Sequence, residues 1–268
     1  MQDSQLMIER FDYVLHVTLN RPETRNSMSI FMLNELRTLF DSLQEDRGIR
    51  AVVIRGSNGH FCSGGDIKDM AEGRAKAAQS AADATQSFYD LNRAFGRVIT
   101  QADALPQVVI TVLEGAVLGG GFGLACISDV AIAAKSAQFG LPETSLGVIP
   151  AQIAPFVVKR IGLTQARRLA LLGERFDGAE AVRLGIAHYV AEDSGALEKI
   201  LNNVLAKVKR CAPEANRKTK ALLHRVGHED MERLLDDAAR DFANAVQSAE
   251  GTEGTMAFVQ KRLPNWAQ

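Results

Sequence analysis

Three cysteines, Cys62, Cys126 and Cys211, are all that 268 residues contain, an odd number at wide spacing. That excludes a disulfide framework and a cysteine metal site, and it suits a reducing, cytoplasmic compartment. Neither sign of charge is in excess: 31 basic side chains face 32 acidic ones, for a formal net charge of -1. So balanced a chain has no global basic surface for nucleic acid and no acidic tail. Long hydrophobic runs are missing too. The longest uncharged apolar stretch, residues 115–128, lies between Glu114 and Asp129 and is too short to cross a bilayer. The opening MQDSQLMIERFDYV has no basic or apolar leader segment, so no secretory signal is expected. No internal repeat is visible. What is there is an ordinary globular composition, 46% hydrophobic and 24% charged, at a length that suits one large domain or a domain with an appendage.

That apolar stretch carries the first positive signal. Residues 113–130 read LEGAVLGGGFGLACISDV, with Gly119, Gly120 and Gly121 in a row and Gly123 after them. Glycine belongs where backbone comes close to another group or takes a conformation that a Cβ forbids. Around it the chain has two textures. To about Val190, short β-branched runs alternate with helical patterns. VLHVTL (Val14–Leu19), AVVIRG (Ala51–Gly56), QVVITVLEG (residues 107–115) and DVAIAA (residues 129–134) read as buried strands. Met32, Leu36, Leu39, Phe40 and Leu43 recur at helical spacing behind a Ser29 cap, and Phe88, Leu91, Phe95, Val98 and Ile99 mark a second helix. Such alternation predicts an α/β core with mainly parallel pairing. From about Ser194 three amphipathic segments with almost no strand signal are expected to form a docking or oligomerisation element outside that core. The Ala-rich residues 71–85 suit a mobile helix or lid, and equally a plain solvated helix.

Several chemistries fail on spacing. The dinucleotide pattern of three glycines, begun at Gly119 and Gly121, puts Leu124 where the third is required, and no glycine-lysine-serine or glycine-lysine-threonine ending occurs. No G-x-S-x-G elbow surrounds Ser57 or Ser63. Cys62 lies two residues from His60, yet a small buried thiol packed under the loop explains it better than a nucleophile does. His224 and His228 share a helix face without an accompanying acid, which fits a solvated face better than a metal site. Two loops survive. GHFCSGGDIKDM (residues 59–70) follows the strand AVVIRG, and the glycine triplet follows QVVITVLEG. Two glycine-rich loops leaving the ends of neighbouring strands can aim two backbone N–H groups at one point, the geometry of an oxyanion hole, with helix dipoles behind them.

In this order, NRPETRNSMS (residues 20–29), FCSGGDIKDM (61–70), LEGAVLGGGFGLACISDVAIAA (113–134) and AQFGLPETSLGVIP (137–150) resemble the crotonase, or enoyl-CoA hydratase/isomerase, superfamily. GTMAFVQKRLPNW (254–266) is similar to that family's C-terminal helix. The resemblance implies an α/β fold, a spiral of ββα units over residues 1–193 that carries the active site. Residues 194–268 would then be a helical region for trimerisation and site closure, giving a homotrimer or a dimer of trimers. It also implies an acyl-CoA substrate, with no separate cofactor, no metal, and neither nucleic acid nor membrane as partner. Position by position, the oxyanion N–H groups fall on Gly65 and Gly120, and the catalytic carboxylate of the F-G-x-P-E motif falls on Glu143. Coenzyme A would run past Arg25, Ser63, Gly64, Asp66, Ile67 and Lys68, and Lys261 would meet its ADP phosphates from a neighbouring subunit. Leu118, Gly119 and Gly123 would line the substrate pocket, with Arg93 and Arg97 on the helix beside it.

Two departures sharpen the expectation. Family hydratases carry a second glutamate three residues after the oxyanion glycine, and here that position is Gly123; PAQIAPFVV (residues 150–158) replaces a further glycine run. Among family members this pattern looks most like bacterial hydratases of glutaconyl-type thioesters, whose substrates carry a second carboxylate. A glutamate at position 123 would face that carboxylate, and two like charges about 4 Å apart cost roughly 1–4 kcal/mol in partly wet surroundings. Gly123 is expected to remove the charge and open room for a branch, with Lys68, Arg93 or Arg97 offsetting the substrate's carboxylate. A double-bond isomerase would use the same parts, and an RNA-binding role would need a basic patch that the net charge does not supply.

Overall fold

The computed structural model describes residues 3–66 and 81–268. Ile67, Lys68 and most of the Ala-rich segment lie outside the described residues. The strands are β1 (Leu6–Phe11), β2 (Val14–Leu19), β3 (Ala51–Gly56), β4 (Val108–Leu113), β5 (Ala116–Leu118), β6 (Val130–Ala134), β7 (Gln138–Gly140), β8 (Arg175–Phe176) and β9 (Tyr189–Ala191). Six of them form a sheet in the order β1-β2-β3-β4-β6-β9. Only β1 and β2 pair antiparallel in it; the other pairs are parallel, as the alternating pattern requires. A second, three-stranded sheet runs β5-β7-β8.

The large sheet is apolar on both faces, so its strands read as continuous hydrophobic runs. Val52 and Ile54 of β3 point into one core, and Ala51 and Val53 point into the other. The first core is closed by α1 (Ile30–Leu43), α2 (Ala81–Asp103), α3 (Gly120–Ile127) and α4 (Ala154–Leu172). Ser29 caps α1 as expected, its Oγ accepting from Met32 N–H at 3.1 Å. After the short α5 (Gly178–Arg183), the chain enters α6 (Ser194–Arg210), α7 (Pro213–Arg225), α8 (Met231–Gln247) and α9 (Ala249–Val259).

α6 differs from the expectation of helices standing outside the core. Leu197, Leu201, Val204 and Val208 pack on Val53, Ile110, Val112 and Ile132, so α6 covers the second face of the sheet. Its apolar stripe was visible in sequence; the naked sheet face that it covers was not. Arg50 ties the tail down, its guanidinium donating to the carbonyls of Val208, Lys209, Cys211 and Trp266 while stacking on Tyr13. Beyond α6 the apolar stripes face outward: Phe242 on α8 is 71% exposed and Phe258 on α9 is 85% exposed. No helix among the described residues is long and apolar enough to cross a membrane.

Candidate active site

The short strand β5 organises the site. Its neighbour on one side is Cys62: Cys62 N–H donates to Ala116 C=O at 2.8 Å, and Leu118 N–H donates to Cys62 C=O at 2.9 Å. On the other side it pairs with β7, and Gly119 N–H extends that pairing to Gly140 C=O at 3.1 Å. The glycine triplet therefore leaves β5, not β4 as the sequence pattern suggested. β4 ends at Leu113, and a turn at Glu114 and Gly115 separates it from β5. Three residues are too few to show a period.

This pairing decides which N–H groups are free. Met28 and Gly65 form an isolated parallel bridge in which Met28 N–H donates to Gly64 C=O and Asp66 N–H donates to Met28 C=O. In a parallel ladder the residue between those two bonds turns its own N–H the other way. Gly65 N–H is thus directed off the bridge. Gly119 uses its N–H on Gly140, and Gly120 opens α3, where the first N–H groups have no intrahelical partner. Gly119 reaches this geometry with φ +50° and ψ -115°, which only glycine takes without strain. Gly65 and Gly120 both line one cavity of about 570 Å³.

Glu143 lines the same cavity. It begins a 3-10 turn (Glu143–Leu146) right after Pro142, and the turn is closed by Val148 N–H donating to Glu143 C=O at 3.0 Å. Thr144 Oγ1 donates to Ala170 C=O at 2.8 Å, which pins the turn to α4. A Cβ placed on Gly119 would fall 3.0 Å from Glu143 Oε1, so the carboxylate rests on the glycine backbone. Its Oε2 is buried with no hydrogen-bond partner among the described residues. Burial raises the Glu143 pKa above the ordinary glutamate value, because the charged form loses its water. Asp66, the other acid on the described lining, is different: its Oδ2 pairs with Arg21 Nη1 at 2.5 Å.

The rest of the described lining is mostly apolar: Met28, Leu33, Phe88, Leu91, Phe95, Val148, Ile149 and Ile153, with Tyr89, Asn92 and Gln152. Leu118, Gly119, Gly123, Arg93 and Arg97 are not on it, a difference from the expected pocket. Gly123 in particular does not open room for a branch. A Cβ there would lie 2.5 Å from Ile153 Cγ2 and 2.9 Å from Ile99 Cδ1. The space that a second glutamate would need is filled by two isoleucines, so Gly123 is a packing glycine. Arg97 is exposed, whereas Arg93 is half-buried and donates to Gln152 Oε1 at 2.6 Å.

Arg25 is exposed in the turn beside Ser63, whose N–H donates to Arg25 C=O at 3.0 Å and whose Oγ donates to Thr24 C=O at 2.8 Å. Gly64 is buried at φ +109° next to Gly119, and Lys261 is exposed just past α9. Cys62 is no nucleophile: burial pushes its thiol up to about 12. His60 is structural, its Nδ1 accepting from Ala116 N–H at 3.1 Å. Two residues that sequence reasoning passed over hold the first loop. Fully buried Asn26 donates to the carbonyls of Ser57 and His60 and accepts from Arg21 N–H, and Arg21 in turn holds Asp66. The signal in the sequence was an asparagine in a segment rich in polar residues, the residue type that tolerates the left-handed backbone found at Arg25 and Asn26.

The arrangement offers two N–H donors and one poorly solvated carboxylate around a mostly apolar chamber. It can stabilise an anion on oxygen and move a proton nearby. Comparison with known proteins agrees. The sequence profile of the enoyl-CoA hydratase/isomerase family matches residues 9–268. Pseudomonas aeruginosa AtuE has a structure similar at TM-score 0.95, with 58% identity over 99% of this chain and 100% of that one. An enoyl-CoA hydratase/isomerase from Marinobacter aquaeolei superposes at TM-score 0.93 with 59% identity, covering 98% and 99% of the two chains. The enoyl-CoA hydratase ACTT6 of Alternaria alternata is 30% identical over 94% of this chain and 79% of its own length.

Proposed function

The chain belongs to the enoyl-CoA hydratase/isomerase family, and on that premise we propose that it adds water across the α,β double bond of a branched, glutaconyl-type enoyl-CoA. Isohexenylglutaconyl-CoA, from acyclic terpene breakdown, is the first candidate, and 3-methylglutaconyl-CoA, from leucine breakdown, the second. The observation that carries the reading is Glu143, a desolvated carboxylate with an unpartnered oxygen, on one cavity with Gly65 and Gly120.

Glu143 takes a proton from water as the oxygen bonds to the β-carbon. The π electrons move onto the thioester oxygen, which becomes an enolate held by the N–H groups of Gly65 and Gly120. The enolate then collapses, and the α-carbon takes the proton from Glu143 on the same face, so that H and OH add syn and the carboxylate is regenerated. The raised pKa serves both halves, since the group is a better base than an ordinary glutamate and still gives its proton back. Ile153 and Ile99 fill the place of a second acid, so Glu143 does both transfers alone. A lone carboxylate could equally carry a proton between two carbons, which keeps double-bond isomerisation as the second reading.

The test is a panel of enoyl-CoA esters with and without a distal carboxylate, read by mass for incorporated water. We expect kcat/KM for a branched glutaconyl-CoA to exceed that for crotonyl-CoA by about tenfold or more, a difference of about 1.4 kcal/mol. Crotonyl-CoA as equal or better substrate would end the glutaconyl assignment. A shifted double bond without added water would make the enzyme an isomerase. The outward apolar side chains Leu235, Phe242 and Phe258 support assembly through the C-terminal helices of residues 194–268 as a trimer or dimer of trimers. Light scattering that returns a monomer would remove that part.

A further inference from the structure

α2 runs unbroken for 23 residues, yet it carries a glycine at position 96, where glycine costs about 1 kcal/mol relative to alanine. The reason lies across the cavity rim. A Cβ at Gly96 would overlap Gln152 Oε1 and would lie 2.6 Å from Arg93 Nη1. Gln152 is thus seated in a notch of α2, where Arg93 Nη1 donates to its Oε1 at 2.6 Å and its own Nε2 donates to Asn92 Oδ1 at 2.8 Å. Gln152 and Asn92 line the cavity, and Arg93 does not. Among the described residues no carboxylate pairs with Arg93, so its charge is directed onto the amide.

Both acceptor oxygens of the amide pair are engaged inside this wall. What the wall can offer a ligand is N–H, polarised from behind by a guanidinium. The two carboxylates on the described lining are Asp66 and Glu143, and no Lys, Arg or His is on it. An acyl chain ending in a carboxylate therefore finds no cation on that lining, and its side-chain donors there are the Tyr89 hydroxyl and this wall, of which only the wall has a guanidinium behind it. We propose that Gln152 and Asn92, polarised by Arg93 and seated by Gly96, form the subsite for the distal carboxylate of the acyl group. The inference rests on the glutaconyl-type reading above and gives it a structural cause. The amide relay supplies positive potential without burying the guanidinium itself, which would bring a large desolvation penalty. Gln152 contacts the substrate; Arg93 and Gly96 are positioning residues.

The test uses the full chain and two unreactive thioesters, glutaryl-CoA and butyryl-CoA, which differ by the distal carboxylate. Calorimetry gives a Kd for each, whatever the enzyme turns over. Wild type should bind glutaryl-CoA about tenfold or more tighter than butyryl-CoA, the scale of one charge-assisted hydrogen bond. Gln152→Leu and Arg93→Met should each bring the ratio to within roughly threefold, and Gln152→Glu, of unchanged size, should invert it. The Gln152→Glu and Arg93→Met variants still decide the matter if Gln152→Leu does not fold. A wild-type preference that persists in all three variants overturns this subsite and leaves the glutaconyl reading standing. Equal weakening of both thioesters also overturns it, since that marks a structural role. A wild type without preference overturns the glutaconyl reading and the subsite with it, while the hydration chemistry at Glu143 stands.

Discussion

Gly65 and Gly120 reach the cavity as main chain set by strand pairing, with the Glu143 carboxylate beside them on the 3-10 turn after β7, while Asn92, Gln152 and Ile153 reach it as side chains of a helix and a turn. In the first region β5 holds Cys62 on one side and β7 on the other, Gly65 bridges to Met28, and the oxyanion donors are backbone. Such bonds are blind to side-chain identity, so this floor can persist while sequences diverge. In the second region every contact is a side chain, and one substitution rewrites it. On the proposed function, the reaction class resides in the floor and the choice of acyl group in the wall.

The comparison breaks most visibly at Glu143. Glu143→Gln should bind thioester and lose roughly 100- to 10,000-fold in kcat, because an amide cannot take the proton. Near-normal turnover would remove Glu143 from the mechanism. Next is the clamp under the first loop. Asp66→Ala takes the buried carboxylate from Arg21, whose side chain is 12% exposed and keeps only the exposed Glu23 at 3.8 Å as a counter-charge, and should cost roughly 3 kcal/mol in a urea titration. A loss within 1 kcal/mol of zero, the range of surface pairs, would mean that the pair does not hold the loop.

Gly120→Pro deletes one N–H donor at the first helix position, at the cost of pressing on the Phe95 ring 3.1 Å from the new Cβ, and should lower kcat about 100- to 1,000-fold. Circular dichroism supplies the folding control, and unchanged turnover would move the oxyanion donor elsewhere. A smaller effect tests the packing at Gly123. Gly123→Ala pushes on Ile153 and Ile99 and should cost about 1–3 kcal/mol of stability. A neutral outcome would show that the isoleucines yield, reopening space for a second acid.

The least effect is a matter of sign. Burial raises the folded-state pKa of Glu143 above its unfolded value. The folded state then binds more protons in the window between the two, so stability falls as pH rises through it. Above the window the full penalty is present, and below the unfolded value it is gone. Glu143→Gln should therefore raise Tm at neutral pH and leave it unchanged at acid pH, while kcat/KM of wild type should have its acid limb above the ordinary glutamate range. A Tm that falls at neutral pH would mean that the carboxylate is stabilised by contacts, not strained by desolvation.

Much of this was legible in the chain. β2 and β3 appear at the expected bounds, and α1 begins at its Ser29 cap, because hydrophobic period and cap chemistry are local. β1 was missed: it is an edge strand with one buried and five exposed positions, and that leaves no alternation to read. β5 and β7, three residues each, were missed for their length. Gly123 was noticed and misread. Its meaning depended on Ile153 and Ile99, which no local pattern connects to it.

The sequence alone determined that glycines would stand at two strand ends, that Glu143 would follow Phe-Gly-Leu-Pro, and that the sheet would be mainly parallel with buried strands. Those are consequences of residue type and near neighbours. Only the tertiary structure decided which hydrogens face the cavity, because that depends on pairings of residue 28 with 65, 62 with 117 and 119 with 140. It also decided that Glu143 is buried with an unpartnered oxygen and that Arg93 donates to Gln152. Solvation and charge transmission depend on what is near in space, and chain distance carries no record of either.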